Sequence, residues 1–181
     1  MIAEETLVQQ LQSKDGQARA FEVLVGTYKQ RLYWHIRRIV LHHEDADDAL
    51  QNTFIKVYKN IAGFNGKSKL YTWMYRIATN EALTLLKKRS KKRGIGDQEL
   101  QDKMLENLKA DVYFEGDEIQ LKLQQAIATL PEKQKLVFNL KYFDELKYTE
   151  ISEILGTSVG GLKASYHLAV KKIEAFLKDD S

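Results

Sequence analysis

Apolar residues recur at helical spacing along most of this chain, and no convincing run of alternation interrupts them. That feature points to an all-α fold, since a strand needs period two and its neighbours need turn punctuation. The pattern is sharpest over residues 45–61. Ala46, Ala49, Leu50, Phe54, Val57, Tyr58 and Ile61 fall on one stripe, with Thr53 filling the remaining slot. Asp45, Asp47 and Asp48 stand at the start, where carboxylates favour the positive end of the helix dipole. Gly63 and Gly66 bracket a short loop, 63–69, before a second long helix over about 71–88. An earlier helix over about 18–40 supplies a third wall, so the N-terminal half reads as a compact helical bundle.

The C-terminal half has a different rhythm. One helix spans 121–130, and Pro131, the only proline, opens a second through about 142. Thr149 is placed to cap a short helix carrying Ile151, Ile154 and Leu155. Gly156 then offers the positive φ of a tight turn, and Ser158 is placed to cap a last helix. Its buried stripe is Val159, Leu162, Tyr166, Ala169, Ile173 and Phe176. Helix, short Gly-containing turn, helix is the helix-turn-helix arrangement. Between the halves, Gly94 and Gly96 open an acidic stretch with scattered apolar residues. It reads as a linker with one short helix over about 99–109; the alternative is a helical hairpin packed on the first domain. The expected organisation is a bundle at 1–93, an acidic linker at 94–119 and a helix-turn-helix domain at 120–181.

Charge separates the same three parts. Residues 1–93 hold 17 basic and 9 acidic side chains, a net +8; residues 94–120 net −6, and the remainder +1. Lys87, Lys88, Arg89, Lys91, Lys92 and Arg93 place six cations in seven positions. A partner senses such local fields within about 10 Å at moderate salt, so the first part reads as polyanion-binding. The absence of Cys excludes a disulfide scaffold, a thiol nucleophile and thiolate metal sites. No apolar run approaches the roughly 20 residues that span a bilayer, and the N-terminus lacks the order of a signal peptide. No membrane insertion is expected, and a soluble, cytoplasmic chain is.

Catalytic signals are weak. His42-His43-Glu44 lacks a second His four positions on along the same helix face, and no phosphate loop, nucleophile elbow or dinucleotide fingerprint occurs. Neither an enzyme nor a metal or other cofactor is expected.

Binding signals are stronger. Near the start of the last helix, Gly160, Gly161, Lys163, Ala164 and His167 are the exposed positions, and Lys163 and His167 suit a phosphate or a guanine edge. Phe64, Tyr71, Trp73 and Tyr75 interleave with Lys67, Lys69 and Arg76, a mixture suited to unstacked bases at roughly 1–3 kcal/mol each. Phe64 and Tyr71, at the loop's edges, are the better candidates for exposure; Trp73 and Tyr75 are equally readable as core. The polar face of the 45–61 helix sets Ile55 among Asp48, Gln51, Asn52 and Lys59, which favours a protein contact.

Together these residues resemble the sigma-70 family of bacterial RNA polymerase sigma factors, in its short extracytoplasmic-function group. The segment Asp45-Ala46-Asp47-Asp48-Ala49-Leu50-Gln51-Asn52-Thr53-Phe54 is similar to the D-A-E-D-L-V-Q-E-T-F of region 2.2. Tyr71-Thr72-Trp73-Met74-Tyr75-Arg76-Ile77-Ala78-Thr79-Asn80 is similar to Y-T-W-L-Y-R-I-A-x-N. Leu130-Pro131-Glu132-Lys133-Gln134 and Tyr148-Thr149-Glu150-Ile151-Ser152-Glu153-Ile154-Leu155-Gly156 resemble region 4.

The resemblance implies a promoter-specificity subunit whose partners are core RNA polymerase, through the β′ clamp and the β flap, promoter DNA and an anti-sigma factor. It assigns Asp48, Gln51, Asn52, Ile55 and Lys59 to the polymerase. Phe64, Asn65, Lys67, Lys69, Tyr71, Trp73, Arg76, Asn80, Lys87 and Lys88 go to the −10 element. Thr149, Ser158, Gly160, Gly161, Lys163, Ala164, His167 and Lys171 go to the −35 element, and the acidic linker threads toward the active-site channel. Asn52 stands where the family usually has Glu. Ser165, Leu168 and Val170 replace three usual arginines, which should flatten the salt dependence of −35 binding by about 0.9 per lost phosphate contact. Opening duplex costs about 1.4 kcal/mol per stacking step, so the chain alone should not melt DNA. The competing reading is a stand-alone helix-turn-helix regulator that binds duplex operators unaided.

Overall fold

A computed structural model describes residues 2–110 and 117–179. Among them the chain forms nine α-helices and no strand: α1 (Glu4–Gln12), α2 (Gln17–Val40), α3 (His43–Asn60), α4 (Leu70–Arg93), α5 (Asp97–Lys109), α6 (Glu118–Ala128), α7 (Glu132–Tyr142), α8 (Tyr148–Leu155) and α9 (Val159–Asp179). None of these helices is long and apolar enough to cross a membrane.

The helix-period stripe of α3 does what its spacing predicts. Ala46, Ala49, Leu50, Thr53, Phe54 and Val57 are buried against α2 and α4. Tyr58, expected on the stripe, is instead 44% exposed, its ring edge resting on Phe21 at 5.0 Å. Asp45 is buried as well as helix-starting, and it ion-pairs with Arg89 of the basic run. One cation of that run is therefore structural. Lys56 and Glu81 pair across α3 and α4 in the same way.

The sequence reading missed α1. Leu7 and Leu11 anchor it in the core, and burying each contributes about 2 kcal/mol. The acidic segment contains α5, whose Leu108 is fully buried with Leu41 and Ala128, so this stretch packs against both halves. The part of the expected linker at 111–116 lies outside the described residues.

The two halves also share one core. Leu136, Val137, Leu140, Leu146, Ile151, Ile154 and Leu162 belong to the same buried cluster as the bundle residues Leu24, Ile36, Met74 and Ala78. A second cluster, with Ile127, Leu130, Phe138, Ala169 and Ile173, holds α6, α7 and α9 together. As a result α4 has α2 and α3 on one side and α8 on another.

Candidate nucleic-acid interface

Opposite the buried stripe of α3, Asp48, Gln51, Asn52, Ile55 and Lys59 are all exposed. Ile55, at 44% exposure, is an apolar residue in the middle of that polar face.

The loop between α3 and α4 begins with a 3-10 turn, Ile61–Gly63. Asn65 Oδ1 accepts the Lys67 N–H at 3.1 Å, and Gly66 takes φ +72°, a left-handed value that favours glycine. Asn65 and Lys67 therefore stand exposed at the tip. Trp73, Arg76, Asn80 and Lys87 follow at helical spacing along α4; Arg76, Asn80, Lys87 and Lys88 are exposed.

The aromatic residues sort differently from expectation. Phe64 and Tyr71, the pair expected outside, are both half-buried. Phe64 lies against Trp73, also half-buried, at 5.1 Å. The Tyr71 ring has the Arg31 guanidinium 5.1 Å from its centre, and its hydroxyl donates to Glu150. Lys69 Nζ meets the same carboxylate oxygen at 3.2 Å. Burial raises the Glu150 carboxyl, but Tyr71, the Lys147 N–H and Lys69 outweigh it and hold the group below its ordinary value. Tyr75 is fully buried and belongs to the core.

Deeper between the halves lies a group that the sequence reading missed. Asp144, its side chain 4% exposed, faces α2 and α4 from beyond the end of α7. Tyr75 donates to Oδ1 at 3.0 Å, His35 Nδ1 lies 3.4 Å from Oδ2, and Arg38 stands 3.5 Å from Oδ1. Burial raises the Asp144 carboxyl; the hydrogen bond and charge of His35, then Arg38 and Tyr75, hold it below its ordinary value. Burial, then the charge of Asp144, pushes the Tyr75 phenol well up, so it stays a donor. His35 Nε2 is fixed in turn by Thr79 Oγ1 at 2.8 Å. No local pattern could have revealed this cluster, because its members are 69 or more residues from Asp144 along the chain.

In the C-terminal half, Gly156 takes φ +66° and closes α8 with its N–H on Ser152 O at 2.8 Å. Ser158 Oγ accepts the Gly161 N–H at 3.2 Å, which caps α9 as its position predicts. Thr149 does not cap α8. It sits inside the first turn, and the Glu150 carboxylate accepts the Lys147 N–H at 2.9 Å instead, since a longer side chain in the first turn reaches back to the helix start. Leu162, Ala169 and Ile173 are buried along the inner stripe of α9. Thr149, Ser158, Gly160, Lys163, Ala164, His167 and Lys171 are exposed and Gly161 is half-buried.

Comparison with known proteins supplies the family. The sigma-70 region 2 model matches residues 24–92, and the sigma-70 region 4 model matches residues 120–173. The chain belongs to the sigma-70 family. Its similarity to the ECF RNA polymerase sigma factor SigW of Bacillus subtilis (strain 168), 34% identical over 93% of this chain and 94% of that one, places it in the extracytoplasmic-function group. It is also 30% identical to the RNA polymerase sigma-H factor of Pseudomonas aeruginosa, over 97% of this chain and 94% of that one. Two solved structures share the fold. CnrH in complex with the cytosolic domain of CnrY has a TM-score of 0.73 at 22% identity, covering 99% of this chain and 100% of that one. RpoE in complex with the anti-sigma factor NepR from Bartonella quintana has 0.68 at 19%, covering 89% and 98%.

In this sigma factor, then, the residues expected to meet DNA fall into two groups. Those on the loop tip and the outer face of α4 are open, while Lys69 and Tyr71 are engaged by Glu150 of the other half. Among the described residues no group of three or more His, Asp or Glu could hold a metal ion.

Proposed function

We propose that this sigma factor directs core polymerase to its promoters through three surfaces. The exposed face of α3, with Asp48, Gln51, Asn52, Ile55 and Lys59, docks on the β′ clamp. The loop at 63–69 and the outer face of α4 capture and help unpair the −10 element. The start of α9, with Ser158, Lys163 and His167, enters the major groove of the −35 element, while the same C-terminal domain meets the β flap. The domain limits 1–93, 94–119 and 120–181 follow this division of labour, with α5 packed inside the connecting segment.

The observation that carries the reading is the pairing of machineries in one chain. A capped helix-turn-helix with exposed polar side chains would suffice for a duplex-binding regulator. The exposed cations of the loop and α4, and the polar α3 face around Ile55, have no use in such a protein. We further propose a cytoplasmic protein with no reaction chemistry of its own, polymerase supplying the catalysis. The structural neighbour RpoE is bound to the anti-sigma factor NepR, which supports a partner of the same kind here.

Run-off transcription with purified core polymerase on genomic fragments tests this. New discrete start sites only in the protein's presence are expected. Duplex binding indifferent to core polymerase, without initiation, would overturn it in favour of the stand-alone regulator.

A further inference from the structure

We propose that α1 is a strut that sets the shape of the promoter-reading loop, with Gln12 and Glu4 as its positioning residues; this rests on reading the 63–69 loop as the −10 contact. The helix lies ahead of the segment matched by the region 2 model, which begins at residue 24. Its apolar side, Leu7 and Leu11, is buried and fixes it to the bundle. Its polar side reaches the loop at both ends.

At the near end, Gln12 Nε2 donates to Ile61 O at 3.0 Å and to Phe64 O at 2.8 Å. One amide thus ties together the first and last carbonyls of the span that starts the loop. At the far end, Glu4 Oε1 accepts the Leu70 N–H at 2.9 Å. Leu70 is the first residue of α4, whose cap position, Lys69, supplies no side-chain cap. The Glu4 carboxylate therefore does for α4, from a different helix, what a Ser or Asp at its own cap would do. It also places a negative charge at the positive end of that helix.

Between these two ties the loop has its own stiffeners, the Asn65 turn and the left-handed Gly66. A cleft of about 760 Å³ opens between α1, the loop and α8, bordered by Gln9, Gln12, Phe64, Asn65, Thr149 and Glu153. The loop tip faces solvent beside this cleft, and both roots are held from α1. A loop fixed before it meets single-stranded DNA loses less freedom on binding. Glu4 and Gln12 act on DNA only through that geometry. Their own side chains are exposed, so replacing them spares the anchors.

The test uses the full-length protein assembled with core polymerase on a promoter mapped by run-off transcription. Variants are the Glu4→Ala/Gln12→Ala double, the Glu4→Gln/Gln12→Ala double that restores an acceptor near Leu70, and an Asn65→Ala/Lys67→Ala loop variant. Permanganate reactivity of unpaired thymines reports opening; core affinity and the thermal midpoint are measured alongside. The alanine double should slow opening about tenfold, the worth of one or two hydrogen bonds. It should also blunt discrimination against altered −10 sequences, with core affinity unmoved and the midpoint lowered by only a few degrees, as the loss of a cap implies. The Glu4→Gln combination should recover part of the rate. Slow opening in the loop variant alone would overturn the strut and leave the loop reading standing. Unchanged opening in every variant overturns both. A fall in core affinity, or a midpoint brought down far enough to leave the protein partly unfolded at the assay temperature, makes α1 an ordinary bundle helix, and the strut is lost.

Discussion

The two surfaces proposed to read promoter DNA are built on opposite plans. The last helix carries its own definition: Ser158 caps it, Gly156 sets its angle to α8, and Lys163, Ala164, His167 and Lys171 are exposed along it. The loop at 63–69 has its own Asn65 turn and left-handed Gly66, but most of its holds come from outside. Its ends are held by α1, its aromatic neighbours lean on each other, and Tyr71 and Lys69 are held by Glu150 of the opposite half. A helix inserted in a groove can be specified locally. A loop that must receive unpaired bases has to be specified by its surroundings, and those surroundings also cover part of it.

The comparison breaks hardest at Asp144. Asp144→Ala leaves His35, Arg38 and Tyr75 facing a void, and losing one partner of a buried charged cluster costs about 3 kcal/mol. Urea denaturation should show that loss as a lower midpoint concentration. Because the Asp144 carboxyl is held below its ordinary value, its contribution is complete above about pH 4 and disappears as pH falls through the lower folded value.

Next in size is the self-contained helix. Gly156→Ala forces a Cβ into a left-handed backbone at a cost of about 1–2 kcal/mol. Duplex −35 binding and the thermal midpoint should fall together, while binding of single-stranded −10 oligonucleotide should hold. Ser158→Ala should act in the same direction by about 1 kcal/mol.

Glu150→Gln sharpens the other side. Removing the charge that engages Tyr71 and Lys69 should raise the free protein's affinity for single-stranded −10 oligonucleotide by about threefold, measured by fluorescence anisotropy. An unchanged affinity would show that these two side chains are not part of the −10 contact. The smallest effect belongs to Lys171→Ala, which should reduce the slope of log affinity against log salt for −35 duplex by about 0.9. A larger drop would mean that Lys171 organises other contacts.

What the sequence revealed follows the same division. The α3 stripe, the turn at Gly156 and the Ser158 cap were legible because each is decided within a few residues. The helix α1 was not, since nine residues with three apolar side chains make a marginal helix alone, and it is the burial of Leu7 and Leu11 that secures it. Thr149 was misread as a cap because a short hydroxyl and a longer carboxylate one residue later both suit the start of α8, and only geometry decides between them. Phe64 and Tyr71 were expected outside because nothing near them in sequence predicts the Trp73 face or Glu150 that cover them. The cluster on Asp144 joins α2 and α4 to the turn after α7 and leaves no periodic trace.

The division of Glu150's two oxygens has a kinetic consequence. One oxygen holds the start of α8 through the Lys147 N–H, and the other engages Tyr71 and Lys69. Pulling the halves apart breaks the second set and leaves the first intact. The released helix pair keeps its own cap, so letting go demands no refolding. Release is then a parting of preformed surfaces, and its speed is set by the shared apolar core and the Asp144 cluster that must open along with that contact.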